Sequence, residues 1–351
     1  MKQLHAVARR FLPELARHTR LLPDADQVAY VGIDDTIRHT HGYAKQGAGY
    51  GYSKVKGLNA LLGIVSTPLA APVIAATRLR KGPSNSARGA AAFVAETIRT
   101  ARDCGATGLL VMRADSAFHG ADIVNSCRAL GARFSITVRM NASVKAAIAA
   151  IDEDAWTPIK YPKAIWDEEG QCWISDAEIA EAPYTAFTYK PKKQQLTARL
   201  IVRRVKRLNP GTVPSGQGML FDTWRYHAAF TDSPLPLKDA ESDHRRHAVV
   251  EQVIADVKSS AFAHAPSGRF QANAAWLALA ALAHNLARAA GALASAFHAR
   301  ATTATIRDHL INVPACLARS ARRLTLHLPE RWPWRRDFTQ LFSTVHAPPV
   351  L

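Results

Sequence analysis

Acid is what this chain has little of. In 351 residues, 28 Asp and Glu face 45 Lys and Arg, leaving a formal charge of +17. That is far from the near-neutral balance of most metabolic enzymes, and it favours a polyanionic partner such as nucleic acid or an anionic membrane surface; a highly soluble basic enzyme is the plainer alternative. Cysteine is also scarce. Cys104, Cys127, Cys172 and Cys316 lie far apart with no CxxC pair, which excludes a zinc ribbon or a small disulfide framework and fits a reducing cytoplasm. The N-terminal stretch MKQLHAVARRFLPELARHTR lacks an apolar core followed by a small-residue cleavage site, so it does not read as a secretory signal. The longest apolar stretch, around Ala274–Ala283, is interrupted by His284 and Asn285. A bilayer span takes about 20 apolar residues, so a buried helix and no membrane partner are expected.

What is present is ample apolar material, 48% of residues, enough for one large or two ordinary packed domains. Residues 1–27 carry Leu4, Val7, Phe11 and Leu15 at helical spacing among arginines, and predict a basic amphipathic helix. A buried strand is expected at about Val28–Asp34, and Leu61–Pro68 with Val73–Arg78 read as two short strands or one broken one. The Ser84-Asn85-Ser86 cluster predicts the start of a helix running to about Asp103. Thr107–Met112 is again strand-like, and helix, strand and helix follow to Ile151. This alternation predicts an α/β layered fold. Between about Ala155 and Asp232 helical periodicity almost vanishes, while Trp156, Trp166, Trp173 and Trp224 and strand-like runs appear. Beyond Asp243 the pattern is helical again: one helix through Glu251, one at Gln271–Ala290, one near Thr305–Ser320, then a basic, Trp-containing tail.

Three acids stand out by their settings. Asp34 ends the apolar run VAYVGIDDT, Asp115 ends GLLVMRADS, and Glu251 lies within DHRRHAVVEQVIADVK. A strand-end carboxylate is held by rigid backbone close to solvent and suits Mg2+, which takes oxygen ligands in near-octahedral geometry. Three such groups can hold two ions about 3.5–4 Å apart, the arrangement that stabilises both the attacking and the leaving oxygen at phosphorus. Each acid taken alone also reads as an ordinary turn, cap or surface residue. On a single helix His244, His247, Glu251 and Lys258 would form one stripe, opposite Val249, Val250, Val253, Ile254 and Val257. The pairs His39/His41 and His244/His247 raise a zinc site as an alternative, without an HExxH motif to support it.

These segments together resemble the DD-E transposases of bacterial insertion sequences. The pieces that carry the resemblance are IDDT with HGYAKQGAGYGYSKVKG, GPSNSARGAAAF, RADSAF, HRRHAVVEQVIADVK, FQANAAWLALAALAHNLA and ARRLTLHLPERWPW, in matching order across about residues 28–340. The resemblance implies a ribonuclease-H-like mixed sheet flanked by helices over 28–154 and 232–300, a β-rich insertion over 155–231, a helical basic C-terminal segment over 301–351, and a basic helical remnant over 1–27. It implies that Asp34, Asp115 and Glu251 are catalytic and bind two Mg2+ or Mn2+ ions, with no organic cofactor, and that the chain works on DNA as a homodimer, cutting transposon ends and joining them to target. Asp34 rather than Asp35 is expected in the site, because successive strand residues point to opposite faces and the family pattern puts the acid two before the threonine. The family's Tyr-Arg-Glu-Lys signature is matched at Glu251 and Lys258, with His244 and His247 in the first two places as phosphate contacts.

Phosphate contact is also expected from residues 190–207, where Lys190, Lys192, Lys193, Arg199, Arg203, Arg204, Lys206 and Arg207 occur with no acid. A solvated edge strand guarded by basic residues is the competing reading. Only 33 residues precede Asp34, fewer than in the relatives, so an N-terminally shortened chain is expected. A non-catalytic DNA-binding or heterodimerising inhibitor, and a stand-alone Mg-dependent nuclease, are the alternatives to a working transposase.

Overall fold

A computed structural model describes residues 2–42, 44–51, 54–159, 166–167, 172–173, 177–206 and 224–347. In chain order the elements are α1 (Lys2–His18), β1 (Val28–His39), β2 (Gly49–Tyr50), β3 (Lys56–Ser66), β4 (Val73–Lys81), α2 (Ala90–Asp103), β5 (Leu109–Ala114), α3 (Ala121–Ala129), β6 (Arg133–Thr137), α4 (Ala142–Ala149), β7 (Thr157–Ile159), β8 (Trp166–Asp167), β9 (Cys172–Trp173), β10 (Ala177–Ala186), β11 (Leu196–Lys206), β12 (Trp224–Thr231), α5 (Leu237–Arg245), α6 (Val249–Lys258), α7 (Phe270–Ala294), α8 (Thr303–Ile306), β13 (Cys316–Ser320), β14 (Arg323–His327) and α9 (Arg335–His346). The fold is mixed α/β. The chain divides into two compact units, Met1–Leu110 with Val249–Leu351, and Val111–Ala248. Those cuts fall elsewhere than the changes of texture near residues 155 and 232.

In the first unit β3 is flanked on one side by β1, paired antiparallel from Tyr30↔Ser66 to His39↔Gly57, and on the other by β4. Both faces of β3 are covered, which is why it is buried along nearly its whole length and mostly apolar rather than alternating. Leu58, Ala60, Leu62 and Ile64 pack with Val250, Val253 and Val257 of α6 and Leu277 and Ala281 of α7. On the opposite face a Cβ added at Gly63 would stand 2.3 Å from Thr97 Oγ1 of α2, so glycine is what lets that helix approach. α2 begins at Ala90, later than its Ser-Asn-Ser cluster; the Asn85 side chain instead accepts from Ala87 N in the preceding turn.

α7 is long and apolar enough to cross a membrane by length and composition. Its inward polar residues nevertheless have partners inside the unit. Asn285 Oδ1 accepts from Ile74 N and its Nδ2 donates to Ile74 O, both at 2.8 Å, so the amide side chain pairs with β4 as a neighbouring strand would. The helix expected near Thr305–Ser320 is a correction: helical structure ends at Ile311, and residues 316–327 form the β13–β14 hairpin. The run CLARSARRLTLH favours strands through its alternation and its Thr and Leu content, and the C-terminal segment is therefore not purely helical.

In the second unit β5 and β6 are parallel, from Val111↔Arg133 to Ala114↔Ile136. β12 pairs antiparallel with β6, and β11, β10 and β7 follow in turn. The β-rich texture is thus real, and its long strands extend the sheet that contains β6. The single helix expected through Glu251 is also a correction: α5 ends at Arg245, a 3-10 turn spans Arg246–Ala248, and α6 starts at Val249.

Candidate active site

Strand parity decides which aspartate of the Asp34-Asp35 pair faces which helix layer. Asp34 lies opposite Leu62 across the β1–β3 ladder, and cross-strand partners share a face; Leu62 belongs to the cluster that contains Val250 of α6. Gly32, two residues before Asp34, comes so near α6 that an added Cβ would sit 3.6 Å from Val250 Cβ. Thr36, two residues after it, takes a hydrogen bond from Lys258 Nζ at 3.2 Å. Asp34, half-buried, therefore stands on the face of β1 that meets the helix carrying Glu251 and Lys258. Its Oδ1 accepts from Asp35 N at 2.7 Å, which fixes the carboxylate against the backbone. Glu251 is exposed in the first turn of α6, where the helix dipole favours a negative charge. Among the described residues no hydrogen bond or ion pair engages its carboxylate.

Asp35 points the other way, into a buried network the sequence did not disclose. Arg80 of β4, 8% exposed, pairs with the Asp35 carboxylate and donates Nε to Asn59 Oδ1 at 2.8 Å, while Asn59 Nδ2 donates to Asp35 at 2.9 Å. Arg80 Nη1 also donates to the carbonyls of Ser86 and Arg88, tying the GPSNSARG loop to β1 beside Asp34. Alternation in IDDT and in RLRK carried the only signal for this network, and it needs the β1–β3–β4 register to be read.

In the second unit Asp115 follows β5 and caps the short 3-10 turn Ser116–Phe118, its Oδ1 accepting from Ala117 N at 3.0 Å. Two residues earlier, buried Arg113 donates Nη1 to Asp243 O at 2.7 Å. His244 is placed differently from the expected cationic phosphate contact. Its ring nitrogens meet Ser135 Oγ at 2.9 Å and Thr137 Oγ1 at 3.1 Å, and burial pushes its pKa down to about 3, so it is neutral at physiological pH. His247 stacks on it at 5.2 Å and bonds through Nδ1 to His244 O.

The basic segment 190–207 is likewise different from the expected strip. β11 is an inner strand between β10 and β12, so neighbouring strands and α5 bring acids to it that the segment itself lacks. Arg199 pairs with Glu181, Arg203 with Glu241, and Arg204 with Glu153 and Glu178. Arg204 also lies over the rings of Trp156 and Trp224, at 4.2 and 4.5 Å from their centroids. Lys192 and Lys193 are exposed, and Lys190 lies over the Tyr189 ring at 5.7 Å. Lys206 is described only in its backbone, and Arg207 lies outside the described residues.

Among the described residues no three His, Cys, Asp or Glu side chains form a group that could hold a metal ion. His39 and His41 contact each other edge-on at 4.3 Å. Asp34 and Glu251 are oxygen donors on rigid elements, the donor type a hard divalent cation takes.

A family model described as transposase DDE domain group 1 matches residues 3–349. A search of curated proteins found no match.

Proposed function

The chain belongs to the transposase DDE domain family, and from that premise we propose that it is an insertion-sequence transposase that cuts DNA at element ends and joins the freed 3′ ends to a target. The observation that carries this reading is the placement of Asp34 on the β1 face that meets α6, the helix of Glu251 and Lys258. Three antiparallel strands followed by a parallel pair, with helices between, support a ribonuclease-H-like core.

Asp34 and Glu251, with Asp115 assigned by resemblance, would hold two Mg2+ or Mn2+ ions. When bound, such ions supply Lewis-acid stabilisation of the oxygens that gain charge at phosphorus. The protein's own contribution is rigidity: the Asp34 carboxylate is fixed by the amide of Asp35, and the backbone that carries Glu251 belongs to a helix packed into the core, which narrows the positions its side chain can take. Lys258, and in the other unit His247, Lys190, Lys192 and Lys193, are the proposed phosphate contacts. In the first step a water oxygen attacks phosphorus in line and the 3′ oxygen of the element end leaves as a hydroxyl. In the second, that hydroxyl attacks a target phosphodiester and displaces a target 3′ oxygen.

The test is cleavage of a labelled duplex carrying an element end. Asp115→Asn should cut at least 100-fold more slowly while binding DNA as well as the parent does, as expected when a group acting mainly in the transition state is lost. Chelating divalent ions should do the same to the parent chain. Undiminished cutting by Asp115→Asn would reject the assignment, and binding by the parent with no metal-dependent cutting would favour the non-catalytic inhibitor.

A further inference from the structure

In the largest cluster of positive charge in the sequence, residues 190–207, Arg199, Arg203 and Arg204 are engaged by in-chain carboxylates. A dense group of exposed arginines lies in the C-terminal segment. Arg319, Arg322 and Arg323 surround the tip of the β13–β14 hairpin, followed by Arg331, Arg335 and Arg336. All six are exposed, and among the described residues none makes an ion pair. From Cys316 to Arg336 the only acid is Glu330, so six arginines less one acid leave a net charge of +5.

The hairpin itself is unusual. Every residue of both strands is exposed. A two-stranded hairpin alone is marginal in water, so one that no layer of the described residues covers implies a partner that orders it. The register shows what it offers. Arg319 pairs with Leu324 on one face and Arg323 with Ser320 on the other, while Arg322 lies in the turn, where Ala321 holds a left-handed φ of 52°. Positive charge thus surrounds the tip on both faces. The major groove of B-DNA, about 12 Å wide, admits a two-stranded ribbon, and its two walls are lined with phosphates. After the hairpin comes a shallow cavity of about 650 Å³ lined by Trp332, Arg335, Arg336 and Gln340 among others, which adds two more guanidinium groups beside an indole.

We propose that the β13–β14 hairpin is a duplex-DNA contact, entering a groove with Arg319, Arg322 and Arg323 against phosphates and with Arg335 and Arg336 holding the flanking backbone. This rests on the reading of the chain as a DNA-acting protein but assigns the contact to a surface that reading does not use. The opposite chemistry, a second copy of the chain docked on Leu317, Leu324 and Leu326, is the competing occupant.

The experiment is fluorescence anisotropy of a labelled duplex over a salt series, with sedimentation of the same samples. Three proteins are compared: the full chain, Arg319→Gln/Arg322→Gln/Arg323→Gln, and Leu317→Ser/Leu324→Ser/Leu326→Ser. For the arginine variant the slope of log Kd against log salt should shrink by about 2–3, because each phosphate contact contributes about 0.9. Its helix content and melting should match the parent, as the hairpin supports no core. A parent that binds with an unchanged slope in the arginine variant overturns the hairpin assignment and leaves the DNA reading standing. A parent that binds no duplex at any salt overturns both. A parent dimer that the leucine variant splits, with the arginine slope unchanged, gives the hairpin to a second copy and also overturns the proposal.

Discussion

At the scale of single residues, adjacent positions with the same side chain have opposite fates. Asp34 and Asp35 differ by one step along β1, and one step on a strand changes the face. Asp34 faces the α6 side; Asp35 is locked to Arg80 and Asn59. Burial lowers the Arg80 pKa and the Asp35 carboxylate beside it works in the opposite direction, so the pair offsets part of the cost of burying the guanidinium. Removing one partner of a buried pair leaves the other uncompensated, and Arg80→Met is expected to cost about 3 kcal/mol, measured by urea denaturation. It should also weaken cleavage more than DNA binding, because the pair holds the strand that presents Asp34. A loss below about 1 kcal/mol would show that the network is dispensable. The choice between the two aspartates could be made from the IDDT pattern, but Arg80 as a partner could not, since 45 residues separate it from Asp35 and only the β3–β4 ladder brings it in.

At the scale of elements, the spacing of β1 and α6 is set by the absence of a side chain. A Cβ at Gly32 would stand 2.9 Å from Ile64 Cγ1 before any larger group is added. Gly32→Val should therefore push α6 outward and cost about 1–3 kcal/mol, the usual range for overpacking a core. Because α6 carries Glu251 and Lys258, cleavage at a temperature well below melting should fall as well, and a variant with lower melting but unchanged cleavage would separate this packing from the proposed active site. Most elements were legible in the sequence: α1, α3, β6 and α4 lie close to where periodicity puts them. The exceptions have physical causes. Helical spacing continues across the 3-10 turn at Arg246–Ala248, so amphipathic pattern alone could not show that α5 and α6 are separate. In the C-terminal segment the strands of the hairpin are short, and a short run is ambiguous between helix and strand until it is paired.

At the scale of the whole molecule, charge and titration act on every part at once. Burial lowers the pKa of His119 to about 4 and of His244 to about 3, and lowers that of His284 as well. Each is held neutral in the folded chain but takes up a proton near its ordinary value of about 6.5 when unfolded. The stability from neutral burial is therefore complete above that value and is lost as pH falls below it, continuing down to the folded-state pKa. Between pH 6.5 and 5 the loss is about 1–2 kcal/mol per histidine. Urea midpoints taken across that range should fall with acid, and His244→Gln should flatten the decline; an equal slope in the variant would mean that His244 does not titrate as placed.

The sequence alone determined what needs no contacts: an excess of basic charge, an α/β alternation, a β-rich stretch before the last helices, and membership of a transposase family through motifs in order. Tertiary structure decided which charges remain available. An arginine in a basic run is indistinguishable from its neighbours until a strand, a helix and a 3-10 turn from elsewhere bring Glu178, Glu181, Glu241 and Glu153 against it, so Arg199, Arg203 and Arg204 became internal ties. The arginines at the hairpin tip, to which no acid among the described residues is brought, stayed in solvent. The physical reason is range: composition sums charge over the chain, whereas pairing depends on contacts within about 4 Å, which long-range folding alone creates.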